Sequence, residues 1–278
     1  MSAPRMAVPP PRALALALLA AAGCAAIQRP DARGTGETAL ERQLARAAEP
    51  AQGPRYTFLG VAMGDRSPAF YGDIRILDRI LSHRYGAAYR SVLLSNREQW
   101  DQLRDLPLAT SENVQLAVEA LRAARRPEDR FIVLFTAHGN RGELSEEYPA
   151  PGRVRRSVPS ALLGRWVKAL APNRTWVMIS SCYSGSLLPA IEGPAVLAMT
   201  AADADHPSLG CGTLDRSTFF VGALVRSLDF DQSFDELWAA TEERLRGYEA
   251  RYRYPGANPQ IRFGADLWGL RVKPLSRF

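Results

Sequence analysis

The sequence predicts an α/β fold with a mostly parallel central sheet flanked by helices. Two apolar runs carry that reading. Phe131-Ile132-Val133-Leu134-Phe135-Thr136-Ala137 and Trp176-Val177-Met178-Ile179-Ser180-Ser181 lack polar alternation and are rich in β-branched and aromatic residues. Such runs suit strands covered on both faces. Strand-like and helix-like segments also alternate along the chain, as βαβ units require. Finally, each run ends in a reactive side chain: His138-Gly139 after the first, Cys182-Tyr183-Ser184-Gly185 after the second. Open α/β sheets gather chemistry at the carboxyl ends of their strands.

Taken in order, the chain opens with Arg5 and Arg12 before an apolar run over residues 13–22, which ends in Gly23-Cys24. The run is too short to span a bilayer and fits the h-region of a signal peptide. Leu19-Ala20-Ala21-Ala22-Gly23-Cys24 resembles a bacterial lipobox, with Ala21 where leucine is commoner. That resemblance implies a mature chain beginning at a lipid-modified Cys24; an ordinary secretory signal is the alternative. Ala25 after the cysteine points to an outer-membrane anchor with the domain facing the periplasm. Residues 1–23 are thus read as signal peptide. Residues 24–54, poor in apolar periodicity, are read as a lipid-anchored flexible tether with a short helix around 37–48. The folded domain is expected over residues 55–278.

Within it, residues 56–62 read as a strand and 71–84 as a helix, with Ile74, Leu77 and Leu81 on one face. Residues 89–94 form the next strand. Thr110-Ser111 caps a helix over 112–125 that buries Val114, Ala117, Val118 and Leu121. The His138 strand follows, then a Gly-, Glu- and Pro-rich loop over 140–157 that either covers the site or is simply solvated. A helix around 159–170, the Cys182 strand, a strand over 195–200 and helices around 217–228 and 234–248 complete the core.

Composition excludes several classes. The 278 residues, 46% hydrophobic, suffice for one α/β domain plus an appendage. The net charge of +6 comes from scattered arginines. The short basic runs around Arg122 and Arg155 have no interleaved aromatics, which argues against nucleic acid. No His-Glu-x-x-His or close Cys/His spacing marks a metal site, and no Gly-x-Ser-x-Gly elbow marks a serine hydrolase. No cofactor or metal is expected. The sequence is silent on oligomeric state.

A thiol and an imidazole at neighbouring strand ends are what a cysteine nucleophile and its base require. His138 and Cys182 lie 44 positions apart, enough for one helical crossover. The N–H groups of Gly139 and Cys182 are then candidate oxyanion donors, and Gly185 leaves room for a substrate backbone. A Cys182–Cys211 disulfide is the competing use of the thiol.

Phe135-Thr136-Ala137-His138-Gly139 and Ser181-Cys182-Tyr183-Ser184-Gly185-Ser186 resemble the His-Gly and Cys-x-Ser-Gly motifs of the legumain family of cysteine peptidases, which is related to caspases. Thr110-Ser111-Glu112-Asn113 and Ser208-Leu209-Gly210-Cys211 resemble further family segments. The resemblance spans roughly residues 56–264 and is strongest to the bacterial lipoprotein branch. It implies a caspase/legumain-like three-layer sandwich and a peptide or protein substrate. It implies His138 as general base and acid, Cys182 as nucleophile, Gly139 and Cys182 as oxyanion donors, and Ser208 in the pocket for the residue before the scissile bond. Cys211 becomes a pocket-wall residue.

Two departures bear on specificity. Ser180 stands where asparagine-cleaving members carry an acid, and Ala137 where they carry Asp before the His. Asp203 and Asp205 are candidates for attracting a basic substrate residue, or are two solvated loop acids. The sequence leaves open hydrolysis or transpeptidation at the thioester, and a non-catalytic binding or assembly lipoprotein on the same fold.

Overall fold

A computed structural model describes residues 38–97, 106–148, 154–212 and 214–278. The predicted signal peptide, Cys24 and most of the predicted tether lie outside the described residues. Strands β1 (Tyr56–Ala62), β2 (Tyr89–Ser95), β3 (Arg130–Thr136), β7 (Arg174–Ser180), β8 (Val196–Thr200) and β9 (Gln260–Phe263) form a six-stranded sheet in the order β2-β1-β3-β7-β8-β9. All neighbours are parallel except β8 and β9. A second sheet contains β4 (Gly139–Asn140), β5 (Glu143–Tyr148) and β6 (Val154–Pro159), all antiparallel.

Helices α1 (Ala39–Ala48), α3 (Ser111–Ala124), α4 (Ser160–Leu170) and the single turn α5 (Leu188–Ile191) cover one face of the large sheet. Helices α2 (Pro68–Tyr85), α6 (Phe219–Ser227) and α7 (Phe234–Tyr252) cover the other. Strand alternation divides the core accordingly. In β3, Phe131, Val133 and Phe135 face the first layer, and Ile132 and Leu134 the second. Burial on both faces is why these runs carry no polar alternation.

Two expectations need correction. The short helix near residue 40 is present, but α1 is part of the fold rather than of a tether. A capping box at Thr38 and Glu41 starts it, and Leu40 and Ala47 are buried in the core. Gln43 accepts from Leu93 N–H at 2.7 Å and donates to Leu93 O at 3.1 Å. Its amide thereby occupies backbone groups on the outer edge of β2. Arg55 pairs with buried Asp129 through Nε at 3.1 Å and Nη2 at 2.6 Å, and its guanidinium also caps the carbonyls of Ala47 and Ala48. The folded unit therefore begins before Arg55.

The second correction concerns the 140–157 loop, whose described part is the β4–β6 sheet. Its acids are not all solvated: Glu146 is fully buried and accepts from Ser111 N–H at 2.8 Å at the start of α3, while Glu147 pairs with Arg155 at 3.2 Å. Strand β9, at the edge of the large sheet, follows Pro255, Gly256 and Pro259, where the sequence reading assigned no element.

Candidate active site

Strands β3 and β7 are adjacent and parallel, with Thr136 opposite Ser180. Ala137 N–H donates to Ser180 O at 3.2 Å. His138 and Cys182 each lie two residues beyond these partners, at the same end of neighbouring strands, and both are partly exposed. The crossover between them runs through the β4–β6 hairpins and α4.

Just past Cys182 the chain turns sharply. Tyr183 takes a left-handed conformation (φ 54°), uncommon for a residue with a side chain. Its N–H donates to His206 O at 2.9 Å. Ser208 sits directly against the thiol: its N–H approaches Cys182 Sγ at 3.4 Å, its Oγ at 4.0 Å, and the thiol reaches Ser208 O at 3.6 Å. Cys182 and Cys211 are both free thiols, so the disulfide alternative is not realised.

The imidazole of His138 meets the ring of Phe70 edge-on, with centroids 5.0 Å apart. Phe70 reaches it because Gly64 has no side chain; a Cβ there would lie 2.4 Å from the ring. Gly139 is more tightly enclosed. Its Cβ would approach Ser181 Oγ to 2.6 Å, Glu143 O to 3.0 Å and Cys182 O to 3.2 Å. In the hairpin, the ladder bond falls on the preceding residue, with Ser145 N–H donating to His138 O at 2.8 Å. The antiparallel alternation turns Gly139 N–H away from β5.

The 203–206 loop is fastened to the chain's own groups. Asp203 accepts from Asp205 N–H and His206 N–H at 2.8 Å each, from Asn258 Nδ2 at 3.1 Å, and lies 2.8 Å from His206 Nδ1. Partial burial opposes its ionisation, but these donors hold its carboxyl below the usual range. Asp205 pairs with Arg141 at 2.9 Å. Both candidate specificity acids are thus engaged within the chain. Gly185 also departs from expectation: the backbone that approaches it is the chain's own. A Cβ at Gly185 would lie 2.6–2.9 Å from Asp203 and Ala204.

Sequence reasoning missed Arg141, Phe70 and Asp73. Arg141, in the β4–β5 turn, donates to Ala204 O at 3.2 Å, pairs with Asp205 and lies 5.7 Å from the ring centroid of Tyr183. The neighbouring Gly142 N–H donates to Ser186 Oγ at 2.9 Å. Together these contacts tie the His138 hairpin to the Cys182 turn. No local motif signals the partners of Arg141.

Asp73 is fully buried on α2. Its carboxylate accepts from Thr136 Oγ1 and Thr218 Oγ1 at 2.8 Å, Ser217 Oγ at 2.7 Å and Thr218 N–H at 2.9 Å. Thr218 Oγ1 is in turn 2.8 Å from Ser180 Oγ. The network therefore joins the residues two positions before His138 and two before Cys182. Burial pushes the Asp73 carboxyl up to about 6 against these hydrogen bonds. The available sequence signal was an acid flanked by Phe70 and Ile74 in the apolar stripe of a helix.

Residues 112–236 match the model of the Peptidase C13 family, a span that includes both His138 and Cys182. No curated protein matches the chain significantly. A solved structure entitled "structure of pro-sf-caspase-1" superposes with a TM-score of 0.50 at 11% identity, covering 78% of this chain and 94% of that one. This is a likeness of fold, and it accords with the parallel sheet between two helical layers. The family match spans both strand ends, and the solved structure agrees with the chain in fold.

Proposed function

We propose that the protein is a cysteine endopeptidase in which Cys182 attacks a peptide carbonyl and His138 handles the proton. The observation that carries this reading is the register of β3 and β7, which brings the thiol and imidazole to one end of adjacent strands. His138 takes the thiol proton as the C–S bond forms. The oxygen of the tetrahedral intermediate collects negative charge, and the N–H groups of Gly139 and Cys182 are the donors assigned to it. Such a donor contributes about 3 kcal/mol in acyl transfer. The imidazolium then protonates the leaving amine as the C–N bond breaks, leaving a thioester. Water, deprotonated by the same imidazole, releases the acid and regenerates the thiol. No cofactor enters this sequence. An amine in place of water would make the same intermediate a transpeptidase step.

Ser208, against the thiol, is assigned to hold the substrate segment before the scissile bond. The internal bonding of Asp203 and Asp205 supports a role in shaping that wall rather than in pairing with substrate. At the cellular level, we assign residues 1–23 as a signal peptide and Cys24 as a lipidation site holding the domain at the outer membrane on the periplasmic side. Labelling with a palmitate analogue tests this: label lost in Cys24→Ala is expected, and an unlabelled wild type contradicts it.

The activity is tested by exposing the full chain to a diverse peptide library, with and without an added amine, and identifying products by mass spectrometry. Cleavage that disappears in Cys182→Ala is the expected result. Cleavage retained in that variant would overturn the mechanism, and a silent wild type would favour a non-catalytic binding protein.

A further inference from the structure

A concave site of about 330 Å³ opens immediately beside the thiol. It runs from Ser208, in contact with Cys182, to the end of α7 at Tyr252 and Tyr254, with Phe219 in its wall. The volume suits a single large side chain. Phe219 is itself held by aromatic packing, 5.1 Å from Tyr248 and 5.2 Å from Tyr252 between ring centroids. One carboxylate, Asp215, belongs to the same lining. It accepts from Gly212 N–H at 2.8 Å, and no ion pair to it exists among the described residues. A carboxylate keeps several acceptor sites beyond one such bond.

Charge in this site points one way. Burial raises the Cys211 thiol, and the neighbouring Cys182 and Asp215 raise it further. The Tyr254 hydroxyl is likewise raised by burial and by the surrounding Cys182, Tyr183 and Cys211. The raised Cys211 thiol and Tyr254 hydroxyl add no negative charge at neutral pH to the site that Asp215 lines. Aromatic faces and one carboxylate together recognise a planar cation on an aliphatic stem. Tyr252 already has the guanidinium of Arg251 at 6.0 Å. Phe219, Tyr254 and Asp215 are therefore the elements that receive an incoming side chain.

We propose that this pocket binds an arginine side chain of the peptide substrate, with Asp215 pairing with its guanidinium. The proposal rests on the peptidase reading for its placement beside the thiol, and it assigns the substrate class of that site. It also replaces Asp203 and Asp205, engaged within the chain, with Asp215 as the acid that selects a basic residue.

The test uses the ¹⁵N-labelled full chain carrying Cys182→Ala, titrated with acetyl-Gly-Arg-Gly-amide and with its neutral isosteric twin containing citrulline. The arginine peptide is expected to shift the amide resonances of residues 208–219 and 252–254, with the citrulline twin at least fivefold weaker. Asp215→Asn keeps an acceptor for Gly212 and should erase that difference; Glu243→Gln, an exposed acid of α7 outside the pocket lining, should preserve it. Equal affinities for the two peptides, shifts confined to other regions, or no shift at all would overturn the proposal. Failure of the two readings is distinguishable. Library cleavage without arginine preference sinks the pocket alone, whereas arginine-selective binding without cleavage sinks the peptidase alone.

Discussion

Thr136 Oγ1 donates to the buried carboxylate of Asp73 at 2.8 Å, two residues before His138. The same carboxylate reaches Ser180, two residues before Cys182, through Thr218. Asp73 is therefore the common anchor of the two strand ends, and it comes from a helix on the second layer rather than from either strand. It touches neither His138 nor Cys182, so its role is positioning.

This anchor gives the stability a particular pH dependence. The Asp73 carboxyl lies at about 6 in the folded chain, above its ordinary 3.8. The folded form thus holds a proton that the unfolded chain releases. The associated stability is fully present below the unfolded value and is lost as pH rises through about 6, by about 3 kcal/mol in all. Asp73→Asn mimics the protonated form. Urea unfolding at several pH values should show the variant gaining on wild type between about pH 4 and 7; a constant difference would refute the assignment.

Gly139→Ala is expected to fold but to lose most activity. Its Cβ would collide with Ser181 Oγ and crowd the carbonyls of Glu143 and Cys182, displacing the turn that carries both the imidazole and an assigned oxyanion donor. A fall in kcat of about 100-fold or more follows from the loss of one such donor. Circular dichroism should remain that of wild type, and an active Gly139→Ala would remove Gly139 from the mechanism.

Arg141→Ala separates stability from activity. The Arg141–Asp205 pair is exposed, and such pairs contribute less than about 1 kcal/mol. The melting temperature should barely move. Turnover should fall because the hairpin after His138 and the loop behind Cys182 lose their cross-link through Ala204 and Tyr183. A large loss of stability with unchanged kcat would reverse this assignment.

Helix α1 is expected to stabilise the domain directly. Gln43→Ala removes both hydrogen bonds to Leu93 and should cost about 1–3 kcal/mol, measured by chemical denaturation. Asp129→Ala should cost about 3–5 kcal/mol because it strands a buried Arg55. Burial opposes ionisation of Asp129, yet Arg55 lowers its carboxyl to about 2. Its stabilisation therefore persists above 3.8 and is lost only as pH falls through about 2.

The parallel strands of the large sheet were legible because burial on both faces leaves an unbroken apolar run, as at Phe131 to Phe135. Helices with capped starts, such as α3 at Thr110, were legible for the same local reason. The β4–β6 sheet was not. Its strands carry Glu143, Glu146, Glu147, Arg155 and Arg156, charges that a sequence reader places in solvent. The partners that satisfy them, Ser111 for Glu146 among them, are remote in sequence. The strand-end positions of His138 and Cys182 were readable from the runs preceding them. The groups supporting them were not, because Asp73, Phe70 and Arg141 act through contacts 40 to 145 residues away or through a different layer.

The most direct test of the central claim is to trap the acyl-enzyme. The full chain is mixed with the peptide library and quenched in acid, and the fragment containing Cys182 is weighed. A thioester adduct on that fragment is expected, absent in Cys182→Ala, with the adduct mass equal to the acyl half of a cleaved peptide. Peptide cleavage with Cys182 unmodified throughout, or an adduct on any other residue, would contradict it.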